Sequence, residues 1–419
     1  MRFIGFMAER LFSIFMIRIK KEKKYNIRHL QISFIEDTNL HVNPKPFFDK
    51  KNIPIITASD DTYIPFVGTM LASLLENSSK EYNYDIIIIS KTNQLSPQNV
   101  SKLMDLIHTY PHATIRFFDI STFILNIQLY TPRSFKIETY YRLFIPVILT
   151  NYDKVIYLDG DIIVNSDISE IFSIDLDSKL IGAVQDSIAA GAMLSTLFNL
   201  KDYFQKTLKL KNPYNYFQAG VMVMNLEEFR RQNLGPQMID YAGKNNCILV
   251  DQDVLNLYCQ DQVRFLDPGW NVDCNIIGPE VAKCAPLYLY NAFLKAREEP
   301  KLFHYAGDNK PWNCSVLDFS HYFWKYAKLT PWYEQILMGY YKTKIYPSLN
   351  SNSKQRFFQP DLFSNQSLRP EFRIFNKYRF IRGKIQVLLE MCMPYGTKRR
   401  KCGAVVLRFL KKTFPIAFK

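Results

Sequence analysis

Apolar runs and polar punctuation alternate along the chain from residue 53 onward. IPIITA (53–58) is a short β-rich run that ends in the polar Ser59, Asp60, Asp61 and Thr62. Pro65 then opens a stretch with Val67, Met70, Leu71, Leu74 and Leu75 at helical spacing. DIIIIS (85–90) predicts a buried strand, and SPQNVSKLMDLI (96–107) an amphipathic helix capped by Ser96. TIRFFDI (114–120) predicts a third strand, and ETYYRLFIPVIL (138–149) a helix stopped or kinked at Pro146. A fourth apolar run, Val155–Leu158, follows at once. Strand and helix in this rhythm predict an α/β fold with a mostly parallel central sheet. The loops after the first and fourth strands should then open on one edge, where such sheets bind ligands.

The fourth run enters DKVIYLDGDIIV (153–164), which places two aspartates at the end of a strand. Asp159 and Asp161, two apart on an extended chain, point to one side. Their repulsion is relieved by a cation between them, and Gly160 removes a side chain that would keep substrate from the backbone. Asp-x-Asp at the carboxyl end of such a strand is a seat for a metal and a diphosphate. Further on, LIGAVQDS (180–187) predicts another strand, and YFQAGVMVMNLEEFRR (216–231) a strand led by Asn225 into a helix. VDQDVLNLYC (250–259) reads as an acidic turn entering a helix, and VRFLDPGWN (263–271) as a strand and turn. KLFHYAGDNKPW (301–312) reads as a strand ending in His304, a Gly-Asp turn, and Lys310.

Size and charge refine this picture. The chain of 419 residues is 47% hydrophobic, enough for a large core and appendages. The net charge of +14 is uneven: +6 on residues 1–30, +12 on 367–419, and −4 on the body between. An acidic body argues against a nucleic-acid-binding core and suggests ends that meet an anionic surface. No C-x-x-C occurs among the seven cysteines, so a reducing compartment is expected rather than a disulfide framework. Glu9, Arg10 and Arg18 interrupt the apolar N-terminus, which no cleavage-site pattern follows. A membrane-resting helix and a buried docking helix both fit it. Beyond 370, Ile374, Tyr378, Ile381, Ile385 and Leu388 recur at helical spacing among Arg373, Lys377, Arg382 and Lys384. KRRK (398–401) and GAVVLRFLKKTF (403–414) follow, and the whole reads as an interfacial basic helix pair.

Three separated pieces have the chemistry to close one site: Asp159, Asp161 and His304. Two carboxylates and an imidazole with open positions for phosphate oxygens suit Mn²⁺ better than Ca²⁺. A metal-dependent nucleotidyltransferase would also use paired carboxylates. It would usually carry a glycine-rich phosphate loop near the first strand, whereas here SDDTY has no glycine until Gly68. A membrane-binding module without catalysis is the other alternative.

The motifs resemble those of glycosyltransferase family 8, in particular the bacterial lipopolysaccharide galactosyl- and glucosyltransferases. The matching pieces are ITASDDTY (56–63), TYYRL (139–143), KVIYLDGDIIV (154–164), YFQAGVMVMNLEEFR (216–230), DQDVLN (251–256) and FHYAGDNKPW (303–312). Their order is the family's, and they span about residues 53 to 315. The resemblance implies a GT-A, Rossmann-like fold, a UDP-hexose donor, Mn²⁺ (or Mg²⁺) and retention of anomeric configuration. It implies Asp159, Asp161 and His304 as metal ligands, and Asp60 and Tyr63 as the uridine contacts. Arg142, Gly160, Gly307 and Lys310 would lie along the diphosphate, and Asp186, Gln218 and Ala219 around the sugar. Asp251 and Gln252 would border the anomeric carbon as the catalytic pair; a non-catalytic nucleotide-sugar-binding or membrane-binding homologue would be expected to lose a metal ligand or this pair, and all are present. Two departures stand out: Gln218 replaces the usual Asn of an Asn-Ala-Gly triplet, leaving galactose or glucose open, and Thr62 stands where Asn is common. The implied organisation is an extension and linker (1–50), a GT-A domain (51–320), a connecting region (321–366) and a basic amphipathic tail (367–419). The expected partners are the donor, a saccharide acceptor, free or lipid-linked, and an anionic membrane through 367–419, with no nucleic acid. The expected location is cytoplasmic, peripheral at the inner face of the membrane.

Overall fold

A computed structural model describes residues 44–132, 135–195, 198 and 200–345. The expectations for the N-terminal 43 residues and for the basic tail lie outside them. The described residues up to Ser195 and from there to Leu337 belong to one compact unit, and Phe198 and the residues from Met338 to a second.

The repeat of strand and helix forms as the hydrophobic pattern requires. Strands β1 (Asn52–Ala58), β2 (Asn83–Ser90), β3 (Ala113–Asp119) and β4 (Lys154–Leu158) lie parallel in the order β3-β2-β1-β4. Helix α1 (Ile64–Glu76) follows β1 with Pro65 in its first turn, where a missing N–H costs nothing. Helix α2 (Pro97–His108) follows β2, and Ser96 Oγ accepts from Asn99 N at 3.3 Å as its cap. Alternate residues of these strands feed different cores. Ile55, Ile86, Ile88 and Ile156 enter one cluster, and Ile56, Ile87, Ile89 and Val155 the other. Both faces are covered, which is why DIIIIS reads as an unbroken apolar run.

The sheet is completed by β6 (Ile181–Gln185), β7 (Phe217–Asn225) and β8 (Val263–Phe265) in the order β4-β7-β6-β8. Strand β7 is antiparallel to both β4 and β6. The central run 155–158 is therefore parallel on one side only. A second sheet, β5-β10-β9, joins Ile162–Val164, Leu302–His304 and Val272–Asp273. Asn225 Oδ1 caps the helix that follows β7, accepting from Glu228 N at 3.2 Å.

One element departs from its sequence reading. Residues Ile137–Phe144 form a 3₁₀ helix, continued by a short α-helix at Ile145–Ile148. Pro146 lies in the first turn of the second helix, so it starts a helix where a stop or kink was expected. The core also continues past residue 320. Phe323, Tyr326, Ala327 and Trp332 belong to the first cluster, and Trp332 Nε1 donates to Asn99 Oδ1 at 2.7 Å.

Candidate active site

The loops after β1 and β4 open side by side, because these strands are parallel neighbours. Asp159 follows β4, and its N–H donates to Gly220 O of β7 at 2.9 Å. Asp161 precedes β5, and its carbonyl accepts from Tyr305 N at 3.0 Å. Antiparallel pairing of β5 with β10 sets His304 opposite Ile162, one residue from Asp161. Three sequence-distant ligand atoms thus meet: carboxylate oxygens of Asp159 and Asp161 and a His304 nitrogen, all within 4.8 Å of one another. His304 Nε2 is 3.4 Å from Asp161 Oδ1 and 3.8 Å from Asp159 Oδ2. The other ring nitrogen, Nδ1, lies 3.0 Å from Asn271 Oδ1. A Cβ at position 220 would run into His304 Cε1 and stand 2.7 Å from Asp159 Oδ2, so only glycine lets β7 come this close.

The donor set fits a divalent ion. Two hard oxygens and one imidazole nitrogen converge, and the nitrogen facing the carboxylates is the one not engaged by Asn271. Without a cation, a lone pair on that nitrogen would face two negative charges. Burial of His304 disfavours its charged form, but the hydrogen bond and charge of Asp161, then Asp159, outweigh it and raise its pKa. Burial likewise works against ionised Asp161, but Lys310 and His304 hold its carboxyl well below the usual range. Lys310 Nζ binds Asp161 Oδ2 and donates to Tyr305 O at 2.7 Å. Gly307, with φ of 80°, makes the turn between His304 and Lys310.

Behind the metal trio lies a buried floor. Arg142 Nη2 binds Asp159 Oδ1 at 2.7 Å, Nε binds Asp251 Oδ2 at 2.9 Å, and Nη1 donates to Ala219 O at 2.6 Å. The guanidinium lies over the Tyr157 ring, 4.4 Å from its centroid. Thr139 Oγ1 donates to Asp251 Oδ1 at 2.5 Å. Burial lifts the Asp251 pKa to about 6, and Arg142 and Thr139 pull it back only in part. Gln252 is held at both ends: Oε1 accepts from Ala219 N at 2.9 Å, and Nε2 donates to Asp186 Oδ2 at 3.1 Å. Asp186 also caps the helix Ser187–Leu194, accepting from Ala189 N at 2.8 Å, while burial raises its pKa. Val250, just before Asp251, is buried with φ of 43°. A β-branched residue there is strained by about 1–3 kcal/mol, held in place by its surroundings.

Of the expected uridine contacts, Asp60 Oδ1 accepts from Tyr63 N at 2.9 Å and Thr62 Oγ1 at 2.7 Å, and Oδ2 is paired with Lys136. Burial raises the Asp60 pKa, and Lys136 and Thr62 outweigh it to leave it lowered. Tyr63 OH reaches Asp161 Oδ2 at 3.5 Å, and its ring meets Trp312 edge-on at 5.9 Å. The space above Gly160, expected to admit substrate, is filled by Val67 and Tyr63, 2.7 and 3.1 Å from a Cβ placed there. Gln218 Oε1 accepts from Gly220 N at 2.6 Å and Asn271 Nδ2 at 3.1 Å. Gln218, Asp186, Asn271 and Asp273 line a cavity beside the metal trio. A larger cavity, about 230 Å³, lies by β7 and β8 and includes none of these side chains.

Sequence reasoning missed four residues here: Thr139, Lys136, Asn271 and Trp312. Thr139 and Trp312 fall inside quoted motifs, so position alone could have raised them. Asn271 ends the turn PGWN and Lys136 sits in an irregular loop, and neither carries a local signal.

A parallel sheet with Asp-x-Asp at the tip of its central strand, an antiparallel return strand and a small second sheet define a GT-A glycosyltransferase. The family model described as glycosyl transferase family 8 matches residues 54–315, and the chain belongs to that family. It is 26% identical to general stress protein A of Bacillus subtilis over 66% of this chain and 94% of that protein. It is 24% identical to lipopolysaccharide 1,2-glucosyltransferase of Escherichia coli over 74% of this chain and 87% of that one. Among solved structures, the apo bifunctional glycosyltransferase WbbM superposes with a TM-score of 0.66 at 32% identity, over 80% of this chain and 60% of WbbM. The galactosyltransferase LgtC in complex with donor and acceptor sugar analogs gives 0.51 at 20% identity, over 67% of this chain and 96% of LgtC.

Proposed function

We propose that the protein is a metal-dependent, retaining hexosyltransferase that moves galactose or glucose from a UDP-sugar to a saccharide acceptor. The reading is carried by the convergence of Asp159, Asp161 and His304, with Lys310 at the same carboxylate. A divalent ion bound there, Mn²⁺ or Mg²⁺, supplies neutralisation of the leaving diphosphate. Lys310 Nζ sits where it can leave Asp161 to donate to a phosphate oxygen as negative charge develops. Asp60 and Tyr63 are assigned to the uracil base, Gly307 to the diphosphate path, and Asp186, Gln218 and Ala219 to the sugar. Arg142 holds Asp159 and Asp251 in fixed relative positions, so its role is to orient the floor.

Retention follows from attack on the same face as the leaving phosphate. Gln252 is a weak nucleophile with both amide ends engaged, and Asp251 has both oxygens tied to Thr139 and Arg142. Substituting each singly and trapping for a glycosyl-enzyme tests this, and an adduct on Asp251 would refute it.

The transferase domain is assigned to residues 51–320 together with the helices that complete its core, ahead of the connecting region to 366. The acceptor class is a surface glycan such as a lipopolysaccharide core, in keeping with the Escherichia coli relative. A lipid-linked acceptor would explain the basic 367–419 tail as an anchor to the anionic inner face of the cytoplasmic membrane. No helix among the described residues is long and apolar enough to cross a membrane. Deleting 367–419 should leave UDP-sugar hydrolysis intact and release the protein from anionic vesicles.

The deciding experiment measures UDP release from a panel of UDP-sugars, with and without Mn²⁺, in the wild type and in Asp161→Asn. Metal-dependent release from UDP-galactose or UDP-glucose, abolished in the variant, is expected. Wild-type release that ignores both chelator and variant would sink the reading.

A further inference from the structure

We propose that Asn271 is a positioning residue that couples the metal-binding face of His304 to the sugar pocket through a one-way chain of hydrogen bonds. The inference rests on the metal-dependent transferase reading above and assigns a role to a residue that carries no motif of its own.

The direction of the chain follows from its fixed end. The backbone N–H of Gly220 can only donate, and it points at Gln218 Oε1 at 2.6 Å. The Gln218 amide is therefore set with its oxygen inward. Asn271 lies 3.1 Å from that same oxygen and must offer its NH₂ to it. The Asn271 oxygen is then turned to His304 Nδ1, 3.0 Å away. An amide oxygen can only accept, so Nδ1 carries a proton. In the neutral ring this leaves the lone pair on Nε2, the nitrogen facing Asp161 Oδ1 and Asp159 Oδ2. At the other end, both contacts of Gln218 use its oxygen, and the proposal assigns its NH₂ to the cavity that Gln218 lines with Asp186 and Asp273.

The platform beneath is built for this. Asn271 is buried at the end of the 3₁₀ turn Pro268–Asn271, where Asp267 Oδ1 accepts from Gly269 N at 2.9 Å and Gly269 O from Lys301 N at 2.9 Å. Strand β9, which follows directly, pairs in parallel with β10 and so with the backbone of His304. A shift of the Gln218 amide on sugar binding would reach His304 through one residue. The Gln218 side chain places its oxygen on both Gly220 N and Asn271 Nδ2.

Three variants separate the two halves of the chain. Asn271→Asp keeps the acceptor for His304 and loses the donor to Gln218. Asn271→Leu loses both, and Gln218→Glu keeps the inward oxygen and loses the outward NH₂. Mn²⁺ affinity is read by electron paramagnetic resonance titration with UDP present, beside the donor KM and kcat. Asn271→Leu should weaken Mn²⁺ by about tenfold or more, and Asn271→Asp should restore it to within about threefold while raising the donor KM. Gln218→Glu should keep Mn²⁺ affinity and raise the donor KM. Wild-type Mn²⁺ affinity in Asn271→Leu, or equal losses in both Asn271 variants, overturns the coupling. Should Asn271→Leu fail to fold, the ¹⁵N-histidine spectrum of the metal-free wild type, taken at a pH where the ring is neutral, decides. A proton on His304 Nδ1 supports the chain, and one on Nε2 overturns it. A wild type that binds neither Mn²⁺ nor Mg²⁺ overturns the metal-dependent reading itself, a result distinct from the others.

Discussion

The floor and the rim of the site use the same residue types to different ends. On the floor, Arg142 with a side chain only 6% exposed joins Asp159 and Asp251. At the rim, Lys136 with a side chain 52% exposed pairs with Asp60. Both are ion pairs beside the carboxyl ends of the central strands, but the cost of breaking them differs. A buried charge that loses its partner keeps its desolvation penalty, whereas an exposed one is rehydrated. The floor thus sets geometry and stability, and the rim is free to exchange partners when a ligand arrives.

The largest effect should come from Arg142→Met. It leaves Asp159 and Asp251 facing one another without their shared cation and removes a donor from Ala219 O. A loss of about 3–5 kcal/mol is expected from breaking such a buried network, read as a lowered urea midpoint at unchanged slope. Stability within about 0.5 kcal/mol of the wild type would erase the distinction between floor and rim.

Asp251→Asn sharpens the comparison through pH. Burial lifts the Asp251 pKa from 3.8 to about 6. Between these values the folded protein binds a proton that the unfolded chain releases, so this group makes stability fall as pH rises through that window. The variant should flatten that slope, by an amount on the order of 1–3 kcal/mol across the window. An unchanged slope between pH 4 and 6 would show that Arg142 keeps Asp251 ionised throughout.

The same contrast explains what could be read from the sequence. The first four strands announce themselves because each is a local run next to its partner in space, and β1, β2 and β4 are buried almost throughout. DIIIIS and KVIYL needed no distant information. The metal trio was legible because Asp159-Gly160-Asp161 and His304 sit at strand ends inside recognisable motifs. The helix expected at 138–149 was misread because its apolar spacing does not distinguish 3₁₀ from α, and Pro146 suits the start of a helix as well as its end. Asn271 and Lys136 were invisible, since their importance lies in partners 33 and 76 residues away. The fold past 320 was hidden for a similar reason: Trp332 reads as part of an aromatic-rich connector until its ring is seen filling the space above Gly68.

Lys136→Ala should have the smallest effect on the fold and a clear one on the ligand. The ammonium bridges Asp60 and Thr62, and it lies 5.7 Å from the centroid of the Tyr63 ring. Asp60 Oδ1 is already taken by Tyr63 N and Thr62 Oγ1, so the acceptor open to a uracil N–H is Oδ2, the oxygen Lys136 holds. On the proposed assignment of Asp60 to the uracil, Lys136 would have to yield or share that oxygen. Removing an exposed partner should change stability by less than about 1 kcal/mol. UDP affinity, measured by calorimetry at two ionic strengths, should become less salt-sensitive because an ion pair no longer has to open. A salt dependence identical to the wild type would mean that the base contacts some other group, and that Asp60 belongs with the structural floor rather than the rim.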